Sequence, residues 1–286
     1  MKWTSYYVTL ALLAAPLAAA AQSSSTSLDP SAPVLSADGG AGGGKTPGKA
    51  ISSEGPFSEF ALGGGVGLMG VNLELATNLS QHLNLRGTGN LFKYNINNIS
   101  TDGFNLAGQV NFGTAGASLD YFPSANHGFR LSPGVIFYNT NQITASATGA
   151  AGSSLKLAGT VYYTDTGSSS PMAMNATLGL NHYKQAFTMT TGWGNMIPRN
   201  GGHFSVPFEI GAAVTGTPTL NVLLSGNACT NQEDASDNGE SCINMATNAS
   251  AQASLNSQLS KWETDLNKLK VYPILTIGIS YAFRTR

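Results

Sequence analysis

From Val271 to Phe283 the chain alternates between two kinds of residue. Odd positions carry Val271, Pro273, Leu275, Ile277, Ile279, Tyr281 and Phe283; even positions carry Tyr272, Ile274, Thr276, Gly278, Ser280 and Ala282. A period of two over this length describes one extended strand whose two faces meet different surroundings. The apolar face ends in two aromatics, which suits a strand that crosses a bilayer and sets its rings at the interface. A single strand cannot enter lipid, because its backbone polar groups would go unpaired. An ordinary sandwich strand would alternate as well, but a strand that enters lipid must belong to a closed barrel, and the barrel is the preferred reading.

The start of the chain agrees. Lys2 precedes an apolar stretch from Tyr6 to about Ala15, then Pro16 and the small-residue run Ala18 to Ala21. This pattern predicts a secretory signal over residues 1–21, cut between Ala21 and Gln22. Its apolar stretch is too short to span a bilayer, no Cys follows the cut to carry a lipid, and no later segment approaches about 18 uninterrupted apolar residues. Residues 22–56 are rich in Ser, Gly, Pro and Ala, without aromatics or periodicity, and are expected to form a disordered periplasmic tail. A spacer is preferred there to a peptidoglycan tether. Residues 57–286 are then the barrel domain. Only 10% of residues are charged, against about 25% in soluble proteins. A lumen lined by neutral polar groups and an exterior wetted by lipid need few charges. The net charge of −1 offers no field for nucleic acid, and no basic cluster occurs.

Alternation recurs from Phe57 onward. Phe60, Leu62, Val66 and Leu68 share a parity. Val71, Leu73, Leu75 and Leu79 oppose Asn72, Glu74, Ala76 and Asn78, and Leu83, Leu85 and Leu91 oppose Asn84, Arg86, Thr88 and Asn90. Phe129, Leu131, Val135 and Phe137 oppose Arg130, Ser132 and Gly134, while Phe204, Val206, Phe208, Ile210 and Val214 oppose Ser205, Glu209 and Gly211. Between Phe104 and Tyr121 the apolar parity changes. It is even at Phe104, Leu106, Val110 and Phe112 but odd at Leu119 and Tyr121, which predicts a bulge near Gly113-Thr114. Long connections at 139–185 and 226–270 alternate with short turns at 78–81, 123–128 and 197–202, the asymmetry of outer-membrane barrels.

These segments read as an all-β fold, a transmembrane antiparallel up-and-down barrel. Its strands fall at roughly 57–67, 70–79, 82–94, 103–122, 129–142, 183–194, 203–216 and 271–283. That makes eight strands, or ten if the Leu155–Leu180 region also enters the membrane. With both chain ends on the periplasmic side, the strand count must be even.

The run Phe187-Thr-Met-Thr-Thr-Gly-Trp-Gly-Asn195, then Phe204-Ser-Val-Pro-Phe-Glu-Ile-Gly211 and Gly216-Thr-Pro-Thr-Leu220, resembles the CarO/OmpW-like small barrels of Gram-negative bacteria. The ending from Tyr272-Pro273 to Tyr281-Ala-Phe283 resembles theirs too. Ala186-Phe187 stands where that family carries Pro-Tyr before the Gly-Trp-Gly. The resemblance covers residues 57–283. It implies an outer-membrane location and passive traffic of small solutes, often through barrels without an open pore. Partners would be outer-membrane lipid, the barrel-assembly machinery and an unidentified solute, and the chain is expected to be a monomer. Ile277, Ile279, Tyr281 and Phe283 resemble the C-terminal insertion signal of such barrels, overhung here by Arg284, Thr285 and Arg286.

Charges on the lumen-facing parity are few: Glu74, Arg86, Arg130 and Glu209, with Glu59 a further candidate. In a narrow barrel they are expected to pair, since an unpaired buried charge costs several kcal/mol. Side chains just fill an eight-stranded barrel, so this network is read as a plug in preference to a gate or selectivity filter. Cys229 and Cys242, the only cysteines, are expected to form a disulfide in an exported chain. No metal or cofactor is expected: no His lies near the cysteines, and Glu233, Asp234, Asp237 and Glu240 lack calcium-loop spacing. Leu255, Leu259, Trp262, Leu266 and Leu269 mark an amphipathic helix over 251–269 in the last long loop, packed on the barrel rim. His82, His127, His182 and His203 have no evident carboxylate-and-serine set, and no Gly-x-Ser-x-Gly, HExxH or phosphate loop occurs, so the protein is not expected to be an enzyme. Two function classes stay open, a solute-passing barrel and a structural or surface-interaction barrel. A continuous polar passage would favour the first.

Overall fold

The computed structural model describes residues 55–124, 127–180, 184–199, 202–236 and 239–284. The expected signal, and the expected tail up to residue 54, lie outside the described residues. In chain order the first strands are β1 (Glu59–Gly67), β2 (Gly70–Ser80), β3 (Leu83–Thr101), β4 (Phe104–Tyr121) and β5 (Arg130–Asn139). Next come β6 (Gln142–Gly149), β7 (Ser154–Leu157), β8 (Thr160–Thr164), β9 (Ala173–Gly179) and β10 (Ala186–Trp193). The last are β11 (Phe204–Ser205), β12 (Phe208–Val214), β13 (Thr219–Ser225), β14 (Asn227–Cys229), β15 (Cys242–Asn244) and β16 (Val271–Arg284). One helix, α1 (Ala249–Leu266), precedes β16. No described helix is long and apolar enough to cross a membrane.

Eight strands close a ring in the order β1, β2, β3, β4, β5, β10, β12, β16 and back to β1, every neighbour antiparallel. The ring has the expected eight members. The Leu155–Leu180 region does not join it, so the ten-stranded alternative falls away.

Alternation explains the ring's two surfaces. Leu62, Val66, Leu73, Leu75, Leu91, Phe187, Ile210, Ile277 and Ile279 stand on the outside, each at least half exposed. An exposed apolar surface of this extent needs an apolar medium around it. At the end that carries the tight turns and the C-terminal residues, aromatics gather: Phe129 meets Trp193 at 5.8 Å, and Tyr281 meets Phe204 at 4.9 Å and Phe283 at 4.8 Å. This is the interfacial girdle of a membrane barrel.

Two strands run far past the ring. β3 and β4 hold 19 and 18 residues, about twice the 9–11 that cross a bilayer. Where β5 leaves β4 at Thr114↔Asn139, β6 takes over from Asn111↔Gln142, and β9 and β13 continue the sheet. The 139–185 and 226–270 connections, expected as loops, therefore carry an ordered module. Phe104, Leu157, Tyr162, Val222, Leu224, Ala228, Ala251 and Leu255 share one core between the extension, α1 and a second sheet of order β15-β14-β8-β7. Cys229 and Cys242 face each other across β14 and β15 and are bonded.

The parity change in β4 has another cause than the expected bulge. β3 and β4 stay in unbroken register from Leu83↔Tyr121 to Ile96↔Gly108. Even residues of β4 point inward throughout. They are polar at Asp120, Ser118 and Thr114 inside the ring, and apolar at Phe112, Val110 and Phe104 inside the module. The irregularity sits on the partner strand: Ala115 faces Tyr138 and Gly116 faces Ile136, leaving Phe137 of β5 bulged. The helix also departs from expectation. Asn248 caps it, accepting from the Ser250 and Ala251 amides. Leu255, Leu259 and Trp262 pack on the module core, Leu266 joins Met69 of the rim turn, and Leu269 lies exposed beyond its end.

Candidate lumen site

Each inward charge sits between outward apolar residues. Glu74 lies between Leu73 and Leu75, Asp120 between Leu119 and Tyr121, and Glu209 between Phe208 and Ile210; Arg86 follows Leu85 and Arg130 precedes Leu131. The ring brings the four expected residues together and adds Asp120. Arg86 contacts Glu74 at 3.0 Å, Asp120 at 3.0 Å and Glu209 at 2.6 Å. Arg130 contacts Glu209 at 2.7 Å and approaches Asp120 at 4.0 Å. Both arginines are 1% exposed. Charge-assisted bonds of this kind are the strong ones, and in an interior of low permittivity they hold the lumen side chains in one arrangement. Glu59 is not part of the layer; it pairs with Arg284 at 2.6 Å at the turn end.

Below the layer, the connection after β10 folds into the ring. Met196 and Ile197 are 1% exposed and pack on Ala61, Ala76 and Ala282. The Gly-Trp-Gly-Asn motif builds this entry. Trp193 stays outside in the girdle. Gly194 turns the chain at a positive φ of 94°, a conformation glycine adopts without strain, and its carbonyl accepts from Arg130. Asn195 accepts from the Asn84 amide at 2.8 Å. Gly63 leaves the space Met196 fills, since a Cβ there would lie 2.7 Å from the Met196 Cε. Arg199 completes the closure, donating to Ser80 and Asn84 with its guanidinium 5.7 Å from the Phe122 ring centre.

Above the layer lies a cavity of about 60 Å³ lined by Glu74, Glu209, Asn72, Thr88, Ser118 and Thr190, among others. Ile136, Ala186 and Ala213, with Tyr272 and Ile274, pack together towards the loop end. The lumen is thus filled in layers. Its buried charges and buried apolar residues alternate along the ring.

Other expected residues are spread out. Ile277, Ile279, Tyr281 and Phe283 lie on β16, which closes the ring against β1. His203 binds the Ala282 carbonyl and stacks on Tyr281; His127 meets Ser124 at 2.8 Å in an exposed turn, with no bonded carboxylate among the described residues. His182 lies outside the described residues. Asp165 lies near Cys229 and Cys242, but both sulfurs are in the disulfide and are not metal ligands. Asp234 accepts from the Ser241 amide in its own turn, and Asp237 lies outside the described residues.

A closed antiparallel ring with an apolar outer belt, an aromatic girdle and a polar, filled interior defines the outer-membrane β-barrel. No family model matches the chain, and no curated protein matches it. Among solved structures, Acinetobacter baumannii CarO2 aligns with a TM-score of 0.50 at 16% identity, over 80% of this chain and all (100%) of that one. Acinetobacter baumannii CarO aligns at 0.47 and 19% identity, over 80% and 98%. The fold is that of the CarO barrels, as the sequence resemblance implied.

Proposed function

We propose that this protein resides in the outer membrane of a Gram-negative bacterium as a resting, non-conducting barrel that anchors an ordered surface module. The observation that carries the reading is the filled lumen: Met196, Ile197, Arg86 and Arg130 are each 1% exposed. Groups lining an open channel would be wet. Passage of even a small solute would require the 194–199 segment to leave the ring and the five-charge layer to part. The module supports the surface role. Its outward face carries Asn95, Gln109, Thr144, Thr177 and Asn221 in one cross-strand row, beside an open trough of about 510 Å³.

Reconstitution into planar bilayers, with liposome swelling in parallel, tests the reading. The purified wild type is expected to give no conductance steps and no swelling above empty membranes. Reproducible steps from the wild type would restore passive solute passage as the function.

A further inference from the structure

We propose that the outward face of the module binds the phosphorylated glycolipid of the outer leaflet, with Lys93 at its phosphates and the trough above at its sugar chain. The inference rests on the module standing outside the outer membrane, and does not depend on whether the lumen conducts.

The outward residues of β3 pass through three chemistries in order. Leu85 and Leu91 are apolar, Lys93 is cationic, and Asn95 and Asn97 are amides. The neighbouring strand keeps step: Leu91 pairs with Gly113, Lys93 with Asn111 and Asn95 with Gln109. At ~3.4 Å per residue and a tilt near ~45°, Lys93 stands about 5 Å above Leu91 and Asn95 about 10 Å. The headgroup layer on each side of a bilayer is about 5–8 Å thick. Lys93 is therefore at the height of lipid phosphates, and Asn95 is beyond it. A glycolipid presents the same order: acyl chains, then phosphates, then sugars.

The lining of the trough selects a neutral, hydroxyl-rich ligand. Its volume of about 510 Å³ is within the usual range of ligand sites, about 300–1,000 Å³. Its walls are amide and hydroxyl side chains, Asn95, Gln109, Thr144, Asn175 and Thr177 among them, and the rest of the lining is Ala and Gly. No charged, aromatic or large apolar side chain lines it, so ions and apolar molecules find no partner there. Amide side chains offer a donor beside an acceptor, which matches the neighbouring hydroxyls of a sugar ring. Gln109 donates to Asn95 at 2.7 Å and holds two of these amides in a fixed relation.

Charge suits the lipid as well. Beyond the level of Leu91 and Gly113, β3 and β4 carry no Asp or Glu, and neither do β6, β9 and β13. Asp102 stands apart at the tip of the β3–β4 hairpin. An anionic headgroup beside Lys93 thus meets a cation and no like charge on these strands.

The test is calorimetric titration of the full-length barrel, folded in detergent micelles, with three probes. They are lipopolysaccharide that carries its core sugars, lipid A, and phosphatidylglycerol, which has a phosphate and no sugar. Core-bearing lipopolysaccharide is expected to bind about tenfold more tightly than lipid A, the worth of one or two hydrogen bonds. Lys93→Gln should weaken both about fivefold at low salt and keep that preference. Gln109→Ala with Thr144→Ala should abolish the preference and leave lipid A binding unchanged. None of these three residues is buried, and heat-modifiable migration on gels checks that each variant folds. Asn175→Asp keeps shape, sets a negative charge in the trough, and should abolish the preference too. Equal affinity for core-bearing lipopolysaccharide and lipid A overturns the proposal, as does a preference that survives in both trough variants. Equal affinity for phosphatidylglycerol would reduce the face to a charge effect and also overturn it. Displacement of the core-bearing probe by a soluble neutral glucan would replace the lipid with a free glycan, and overturns it likewise. Binding is read in micelles and conductance in bilayers, so wild-type conductance steps would remove the non-conducting reading alone.

Discussion

Arg86→Ala tests the lumen layer most directly. The side chain touches three carboxylates, at 3.0, 3.0 and 2.6 Å, and is 1% exposed. Its removal leaves Glu74, Asp120 and Glu209 facing Arg130 alone, two negative charges in excess where there was one. Breaking a buried pair by deleting one partner costs about 3–5 kcal/mol, because the other charge stays buried without compensation. Three acids share the loss here, so the upper half of that range is expected. Against a domain stability of about 5–15 kcal/mol this is a large fraction. Urea unfolding in lipid vesicles, followed by tryptophan fluorescence, would read it as a lower midpoint at unchanged slope. Glu74→Gln in the Arg86→Ala background removes one of the orphaned charges, so it should recover part of the loss, and the double-mutant cycle should be non-additive. An Arg86→Ala variant within about 0.5 kcal/mol of wild type would show an ordinary solvated site. The carboxylates would then be wet, and the filled-lumen reasoning would fail.

Three further outcomes are expected. Gly63→Leu should drive Met196 from its seat, because even a Cβ at Gly63 comes within 2.7 Å of it; bilayer recordings should then show openings that the wild type lacks, and a silent, fully stable variant would count against Met196 as the closing residue. Cys229→Ser with Cys242→Ser opens a loop of sequence separation 13, costing the outer module about 3 kcal/mol. Protease should then cut within 226–270 while the barrel keeps its heat-modifiable migration on gels, and loss of the folded band would show that ring and module fold as one unit. Deleting Tyr281 to Arg286 removes the pairs Leu62↔Tyr281, Ala61↔Ala282 and Phe60↔Phe283 that close the ring. No membrane-inserted barrel should form, and normal insertion would refute the role given to this strand.

Sequence reading reached the ring because each of its strands separates lipid from lumen, and that separation writes a period of two into the residues. Glu74, Arg86, Arg130 and Glu209 were legible for the same reason. Asp120 carried the same signal, lying between outward Leu119 and Tyr121, and was legible by the same rule although it was not among the expected residues. The Met196–Ile197 closure was not legible, since an aperiodic turn gives no sign of whether it hangs in water or folds inward; only Gly194 and the gap at Gly63 decide that. The outer module escaped notice because β6, β9 and β13 are short and their outward faces are mostly polar or small, as in loops.

The long strands show where the membrane must end. On β3 the outward parity runs Leu85, Leu91, then Lys93, Asn95 and Asn97; on β4 it runs Tyr121, Leu119, then Asn111, Gln109 and Asn105. Leu91 pairs with Gly113 and Lys93 with Asn111, so both strands turn polar at the same height. The inward parity of β4 changes the other way at the same height, from Thr114 to Phe112. Outside, the medium goes from lipid to water. Inside, it goes from a polar lumen to an apolar core. One unbroken strand thus serves two opposite environments with no change of parity. A reading that assumed apolar means outward would see a slipped register there. The chain instead crosses the membrane surface, and that crossing fixes the height from which the outer module rises.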